Sequence, residues 1–395
     1  MHNIFDYLDW RGDLSFTQDG FNEVDNLIFS VLAYLELDPL FPPTLEGVSF
    51  TIGEIGELCC QFQDKDPANE INPLFRDIPK LLCKVSQSNR FQGVKVSGYV
   101  NQVDFEKCNQ FSALVFSLNE NEHFLAFRGT DDTLAGWKED FEMSFREEVK
   151  AQRDAVLYAK KIIATYPGSF YLGGHSKGGN LAVYAAANLE PEAQDRILAV
   201  YNNDGPGFLP HVLELEGYKR IVGRIKTFVP KSSIVGMLLE HGENYIAVNS
   251  NVFSLMQHNA FWWEVKGKSF VYEKGLTKGS RNFSKIIRLW LDQLSREQRE
   301  EFVEVIFNLL QATGAMTVSE LSQKKLALAN DMLKSYKNLD PQAKEHLKKV
   351  LKIFFDKSQK VWLSSFEADV ASLLARGSRK KVAEVPGYKY KKDST

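Results

Sequence analysis

The sequence from Ser169 to Ala187 reads SFYLGGHSKGGNLAVYAAA. Its first four residues form the short apolar run of a buried strand, and its last eight have the pattern of a helix with a small-residue face. Between them, Gly174 to Gly178 match Gly-x-Ser-x-Gly with Ser176 at the centre. In a strand–turn–helix context this motif forms a nucleophile elbow. We predict that Ser176 is a catalytic nucleophile; the alternative is a glycine-rich turn with an incidental serine.

A serine at such a turn lies at the N-terminus of the following helix, where backbone N–H groups lack partners within the helix. These groups can stabilise a developing oxyanion. The amide of Lys177 is the nearest, and we expect it to be such a donor. The Lys177 side chain has two interpretations: its charge favours anionic substrates, or it pairs with a surface acid.

The composition indicates a globular protein. The chain has 395 residues, of which 44% are hydrophobic and 12% aromatic. A net charge of −3 argues against a nucleic-acid-coating surface. We find no apolar run of membrane-spanning length and no evident signal peptide. Four cysteines without metal-ligand spacing are interpreted as reduced thiols of a cytoplasmic protein without metal or cofactor; these are Cys59, Cys60, Cys83 and Cys108.

Apolar runs on both sides of the elbow predict further strands. They alternate with helical patterns, which favours an α/β fold with a mostly parallel, doubly wound sheet. Such a sheet places its site at the carboxyl ends of its strands. The predicted strands are Val94–Val100, Gln110–Phe116 and His123–Phe127 as a hairpin, Ile197–Asn202, Ile225–Pro230 and Tyr245–Val248.

The pattern divides the chain into four parts. Residues 1–90 are predicted to be a helical segment packed on the core, and residues 91–280 the α/β core. Residues 281–375 are predicted to form a C-terminal helical domain, with helix starts at Ser295 and at Asp340-Pro341. We expect this domain to pack on itself, on a second copy or on a protein partner. Residues 376–395 are predicted to be a disordered basic tail.

A serine nucleophile needs a histidine base and an acid that orients it. In α/β hydrolases the chain order is serine, acid, histidine. His346 lies in the appended helices and His211 comes early for the base. His258 follows the last predicted core strand in an aromatic-rich loop, so it is our predicted base, with His241 as the alternative.

Several motifs resemble known families. Phe127-Arg128-Gly129-Thr130, with Trp137 and Asp140 downstream and the elbow following, resembles the class 3 lipases. A closer resemblance, over about residues 1–270, is to the bacterial lipase-like Mbeg1-like family (DUF2974). The Gly-His-Ser-Lys-Gly-Gly elbow carries it, together with three further segments: Tyr7–Asp13, Phe21–Asp25 and Asn202–Gly207.

The resemblance implies an α/β-hydrolase fold and lipase or esterase activity on a small-molecule or lipid acyl ester. By analogy, Thr130 supplies an oxyanion donor alongside the Lys177 amide, and His258 stands at the lipase histidine. The segment that begins His241-Gly242-Glu243 looks like a non-catalytic part of the family, which favours His258 over His241.

The acid departs from the lipase pattern. The lipases have an aspartate after the strand that corresponds to Ile225–Val229, but Pro230 to Gly236 contain no carboxylate. Asp204, at the end of the preceding strand, is our candidate; the alternative is that it caps its own turn. The missing carboxylate also leaves open a second function, a catalytically inactive hydrolase-fold protein that serves as a binding or scaffold module.

Overall fold

One eight-stranded sheet organises the fold. The computed structural model describes residues 2–42, 47–60, 75–104, 109–131, 133–252, 254–315, 317, 320 and 325–382. Within them, the eight strands of this sheet lie side by side in chain order, and Val265–Lys266 and Ser269–Phe270 form a separate two-stranded sheet. The eight strands are β1 (Ser49–Thr51), β2 (Lys95–Asp104), β3 (Asn109–Ser117), β4 (Glu122–Phe127), β5 (Ser169–His175), β6 (Ile197–Asn203), β7 (Ile225–Pro230) and β8 (Tyr245–Val248).

The sheet changes from antiparallel to parallel at β4. Strands β1 to β4 pair antiparallel, with β3 and β4 forming the predicted hairpin, and β4 to β8 pair parallel. The predicted α/β class is therefore confirmed. The helices between the first four parallel strands are α5 (Leu134–Glu142), α6 (Lys150–Thr165), α7 (Lys177–Ala187), α8 (Pro191–Asp195), α9 (Pro210–Leu213) and α10 (Glu216–Ile221).

Helices cover both faces of the sheet. Because parallel strands in chain order are joined by crossovers of one hand, the crossover helices share one face. There α6 and α7 bury apolar side chains such as Ile162 and Leu181. The other face carries the N-terminal helices α1 (Ile4–Arg11), α2 (Glu23–Leu32), α3 (Ile52–Cys60) and α4 (Ile78–Val85). From α2, Phe29 packs on Phe116 of the sheet, with ring centroids 4.5 Å apart.

A buried ion pair fixes the N-terminal helices. Arg90 Nη2 lies 2.6 Å from Asp25 Oδ2, and both side chains are fully buried. The hydroxyl of Tyr7 donates to Asp25 Oδ1 at 2.8 Å. Removing either charge would leave the other uncompensated in the interior. The pair therefore ties α1 and α2 to the segment that enters β2.

After the sheet, the described part of the chain continues in helices α11 (Lys278–Leu291), α12 (Arg296–Gln311), α13 (Lys325–Asn338) and α14 (Pro341–Val382). The predicted caps are present, because Ser295 accepts from Gln298 N and Asp340 from Ala343 N. Helix α14 continues past the predicted start of the tail, and residues 383–395 lie outside the described part. Among the described helices, none has the length and apolarity needed to cross a membrane.

The cysteines correct one expectation. Cys83 on α4 is disulfide-bonded rather than a reduced thiol, whereas Cys59 on α3 is free. The side chain of Cys60, and all of Cys108, fall outside the described residues. The sequence pattern missed the disulfide because the spacing of cysteines does not show which of them lie close together.

Candidate active site

Ser176 occupies a strained turn between β5 and α7. Its backbone has φ +58° and ψ −136°, a region that non-glycine residues rarely adopt. Two hydrogen bonds hold the turn: Ser176 N donates to Asn203 O, and Gly179 N donates to Ser176 O, each at 2.9 Å. Strain of this kind is typical of functional sites, where the surrounding structure imposes it. The structure thus has the geometry that the elbow motif predicts.

Two glycines allow other backbone segments to touch the elbow. A Cβ on Gly178 would collide with the carbonyl oxygen of Phe127, at the end of β4. A Cβ on Gly129 would collide with the carbonyl oxygen of His175 and lie 3.1 Å from Ser176 Cβ. The loop that carries Thr130 therefore lies directly against the serine.

Asp204 and His258 form a hydrogen-bonded pair. Asp204 Oδ2 lies 2.7 Å from His258 Nδ1; the carboxylate is fully buried and the imidazole is 12% exposed. Because an ionised carboxylate only accepts hydrogen bonds, we assign the proton to Nδ1. This tautomer leaves Nε2 with a lone pair, as a general base requires.

The Asp204 carboxylate does not cap its own turn. Gly205 N donates instead to Asn202 Oδ1 at 2.8 Å. The second oxygen of Asp204 accepts from Ser233 Oγ at 2.5 Å and from Gly236 N at 3.2 Å. Ser233 belongs to the segment where the lipase pattern has its acid. A serine in that segment therefore holds a carboxylate that comes from the neighbouring strand.

The elbow contacts the segments that carry Asp204 and His258 at the carboxyl edge of the sheet. Asp204 follows Asn203, whose carbonyl oxygen holds Ser176 N. On the other side, His175 Nε2 donates to His258 O at 2.7 Å, and the two imidazoles lie 4.6 Å apart between centroids. Within the described chain, Ser176 Oγ forms no hydrogen bond. The elbow thus lies next to the segments that carry Asp204 and His258, and Ser176 Oγ forms no hydrogen bond with His258.

His175 is a site residue that the sequence reasoning left without a role. Its Nε2 donates to the His258 carbonyl, and its Nδ1 accepts from the Tyr34 hydroxyl at 3.2 Å. Burial, and then the nearby charge of His258, lowers the pKa of His175 to about 3. The ring is therefore neutral and positions the His258 backbone. The sequence signal that could have indicated this role was its position in the motif, directly before Ser176.

His241 interacts with residues other than Ser176. Its Nε2 donates to Gly236 O at 2.7 Å, and its Nδ1 lies 3.2 Å from Glu243 Oε1. Although burial opposes it, the hydrogen bond and charge of His241 lower the pKa of Glu243 to about 2. Both ring nitrogens face oxygen acceptors, so neither is free to take a proton from Ser176. His241 instead supports the loop that holds Asp204.

The Thr130 hydroxyl is also engaged. Thr130 Oγ1 donates to Asp140 Oδ2 at 2.5 Å. Burial raises the pKa of this carboxyl to about 6, against the lowering effect of Lys177. The backbone amides of Thr130 and Lys177 donate to no described residue. Two backbone amides near Ser176 thus have no hydrogen-bond acceptor among the described residues.

The ammonium group of Lys177 points away from the site. Its Nζ donates to Glu139 Oε2 at 2.9 Å and to Gln110 O at 3.0 Å. Both charged side chains are almost completely buried. The pairing interpretation is therefore right in kind, but the acid is buried rather than at the surface. The charge of Lys177 is not presented to a substrate.

The sequence model of the Mbeg1-like family matches residues 85–308. The chain belongs to the Mbeg1-like family. The match includes the elbow, Asp204 and His258, and it extends through α11 into α12, farther than the resemblance over residues 1–270. A search among curated proteins gives no match.

Proposed function

We propose that this Mbeg1-like chain is a serine hydrolase of the lipase or esterase type that cleaves a small-molecule or lipid acyl ester. The observation that carries the proposal is the 2.7 Å hydrogen bond between Asp204 and His258 beside the strained Ser176. A buried carboxylate that fixes the imidazole tautomer is what a serine nucleophile needs for activation.

In the acylation step, Ser176 Oγ attacks the ester carbonyl carbon while His258 Nε2 takes its proton. Asp204 accepts the Nδ1–H and stabilises the resulting imidazolium. The negative charge on the former carbonyl oxygen is stabilised by the amides of Thr130 and Lys177. When the intermediate collapses, the C–O bond to the alcohol breaks and His258 returns the proton to the leaving oxygen.

Deacylation repeats the sequence with water. His258 removes a proton from the water molecule, whose oxygen attacks the acyl carbon. The same two amides stabilise the second intermediate, and the proton returns to Ser176 Oγ as the carboxylic acid departs. Asp204 keeps its orientation toward His258 throughout, because its other oxygen accepts from Ser233 and Gly236.

The competing function is a catalytically inactive hydrolase-fold protein that serves as a binding or scaffold module. Its support was the missing carboxylate after β7. That segment supplies Ser233 as a hydrogen-bond donor to Asp204. A carboxylate is therefore present, but it comes from the end of β6 instead of the end of β7. This arrangement favours catalysis over the scaffold function.

A fluorophosphonate probe tests the proposal, because it labels only an activated serine. The wild-type chain should be labelled stoichiometrically and should hydrolyse a short acyl ester. Ser176→Ala should lose both properties with an unchanged thermal midpoint. Ser232 lies at the same edge of the sheet, but its hydroxyl faces Thr277 Oγ1. The control variant Ser232→Ala should therefore keep both properties. A folded wild type that is neither labelled nor active would favour the scaffold function.

The four-part division of the chain and the cytoplasmic location stay predictions from the sequence. A disulfide at Cys83 is unusual for a reducing compartment. Cell fractionation combined with thiol trapping tests the location and the redox state of Cys83 together. Limited proteolysis tests whether the predicted boundary near residue 280 separates two folded units.

A further inference from the structure

Helix α14 has one face that packs against the rest of the protein. Leu347, Val350 and Val361 are buried there. Trp290 of α11 donates from its indole to Val350 O at 3.1 Å, and its ring lies 5.4 Å from that of Phe354. These contacts fix which side of α14 faces outward.

The outward side carries a stripe of large apolar residues. Phe355 is 65% exposed, Trp362 51% and Phe366 67%, with Leu351 preceding them. Their spacing of four, seven and four residues places them along one line of the helix surface. Single exposed apolar residues are normal, but a contiguous patch marks a binding surface. We call these four residues the aromatic stripe.

The charges around the stripe are mostly positive. Residues 341–366 contain six lysines and two acids, and no lysine among them forms an ion pair with a described residue. Lys344, Lys348 and Lys352 follow one another at four-residue spacing, which continues the line of the stripe toward the start of α14. Residues 341–395 hold 13 basic and 6 acidic residues in a chain of net charge −3. Residues 341–366, which carry the aromatic stripe, thus have four more basic than acidic residues, six against two.

We propose that this face of α14 docks on the surface of an anionic phospholipid membrane. An interfacial helix buries aromatic and aliphatic side chains at the boundary between headgroups and acyl chains, while lysines interact with lipid phosphates. Each basic residue near an anionic surface adds attraction. A second copy fits less well, because two such faces would bring like-charged lysines together.

Vesicle co-sedimentation of the full chain tests the proposal. The wild type should bind vesicles of mixed phosphatidylglycerol and phosphatidylcholine at low salt. Binding to these vesicles should weaken at high salt, and binding to vesicles of pure phosphatidylcholine should be poor. The triple variant Phe355→Ser, Trp362→Ser, Phe366→Ser should lose about tenfold or more in partitioning. The double variant Lys348→Glu, Lys352→Glu should show a similar loss. The control Leu157→Ser changes an exposed leucine on α6 and should bind as the wild type does.

Thermal midpoints should be equal in all variants, because the changed side chains are exposed. Ser176→Ala should bind vesicles as the wild type does, so a failure of the membrane proposal can be distinguished from a failure of the proposed hydrolase function. Absence of binding by the wild type, or normal binding by the stripe variant, would overturn the proposal. A wild-type dimer that the stripe variant converts to a monomer, without vesicle binding by either, would instead make the face a self-association surface.

Discussion

The carboxylate of Asp204 lies 2.7 Å from the imidazole of His258, although 54 residues separate them in the chain. The contact joins the end of β6 to a loop beyond β8. Because β6 and β7 pair in parallel, with Asn203 beside Phe228, their ends border the same space. An acid on either strand can therefore reach one histidine, and here the strand nearer to the nucleophile supplies it.

The two candidate bases have opposite hydrogen-bond environments, so mutation separates them. His258→Ala should lower kcat by about 10²-fold or more, the scale of a general base, with little change in stability. His241→Ala should lower stability, because the buried Glu243 would lose the hydrogen-bond partner that lies 3.2 Å from its Oε1. Esterase assays and thermal melts of both purified variants measure this. If the His241→Ala variant were stable but inactive while the His258→Ala variant stayed active, the assignment of His258 as the base would be wrong.

Local sequence was enough to predict the strands and helices that build the site. The elbow between β5 and α7, the β3–β4 hairpin and the caps of α12 and α14 depend on neighbouring residues, whose pattern is visible in one chain. The three-residue β1 was not predicted, because it forms only by pairing with Lys95, Val96 and Ser97. Such short strands depend on tertiary contacts.

Long-range partners could not be predicted from the sequence. Nothing in the sequence around Lys177 shows that its charge is neutralised by Glu139, 38 residues earlier. The pattern likewise placed Ser233 in the segment of a missing acid but did not show that it donates to Asp204. The fold brings these residues together, and their spacing in the chain does not indicate that they are in contact.

The buried pair of Lys177 and Glu139 predicts a stability effect without a specificity effect. Lys177→Met should destabilise the fold by about 3–5 kcal/mol, because Glu139 would keep an uncompensated buried charge. The double variant with Glu139→Gln should recover part of this loss. Urea denaturation measures both. The ratio of kcat/KM for anionic and neutral esters should stay constant, and a fall in this ratio would show that Lys177 contacts substrate.

His175 makes stability depend on pH in a defined window. Its folded-state pKa of about 3 lies below its ordinary value of 6.5, so the unfolded chain binds more protons between these values. Stability is therefore fully present above pH 6.5 and falls on acidification, with a slope of up to about 1.4 kcal/mol per pH unit from this group.

The variant His175→Gln, which cannot titrate, tests this dependence. Its free energy of unfolding should fall less steeply than that of the wild type between pH 6.5 and 5. This window lies above the range in which Glu243, with its folded-state pKa of about 2, contributes. Equal slopes in the two proteins would show that His175 is not buried as a neutral ring.

Ser233 gives a prediction with a neighbouring control. Ser233→Ala removes the hydroxyl that donates to Asp204 Oδ1, and among the described residues Gly236 N is then the remaining donor to that oxygen. A hydrogen bond to a charged group contributes about 1.5–3 kcal/mol, so kcat should fall about tenfold or more. Ser232 Oγ faces Thr277 Oγ1 instead, and Ser232→Ala should keep the wild-type rate. Equal rates in both variants would mean that Asp204 needs no support from Ser233.

The variant Asp204→Asn tests whether Asp204, at the end of β6, orients His258. Asparagine tolerates the φ of +54° at this position, so the fold should persist. Its oxygen would keep the hydrogen bonds from Ser233 and Gly236, which turns its NH₂ group toward His258 Nδ1. An NH₂ group donates, so Nδ1 would have to accept and the proton would move to Nε2. The imidazole would then be in the wrong tautomer to activate Ser176.

The expected loss of kcat in Asp204→Asn is up to about 10⁴-fold, as in the serine-protease template. Nitrogen-15 NMR of the histidine ring should show the proton on Nε2 rather than on Nδ1, and fluorophosphonate labelling should slow in parallel. Asn202→Asp, at the residue that caps the turn, is the control for a charge change nearby and should keep the His258 tautomer. A stable Asp204→Asn variant with a near-normal rate would remove Asp204 from the catalytic site and leave Ser176 and His258 as a dyad.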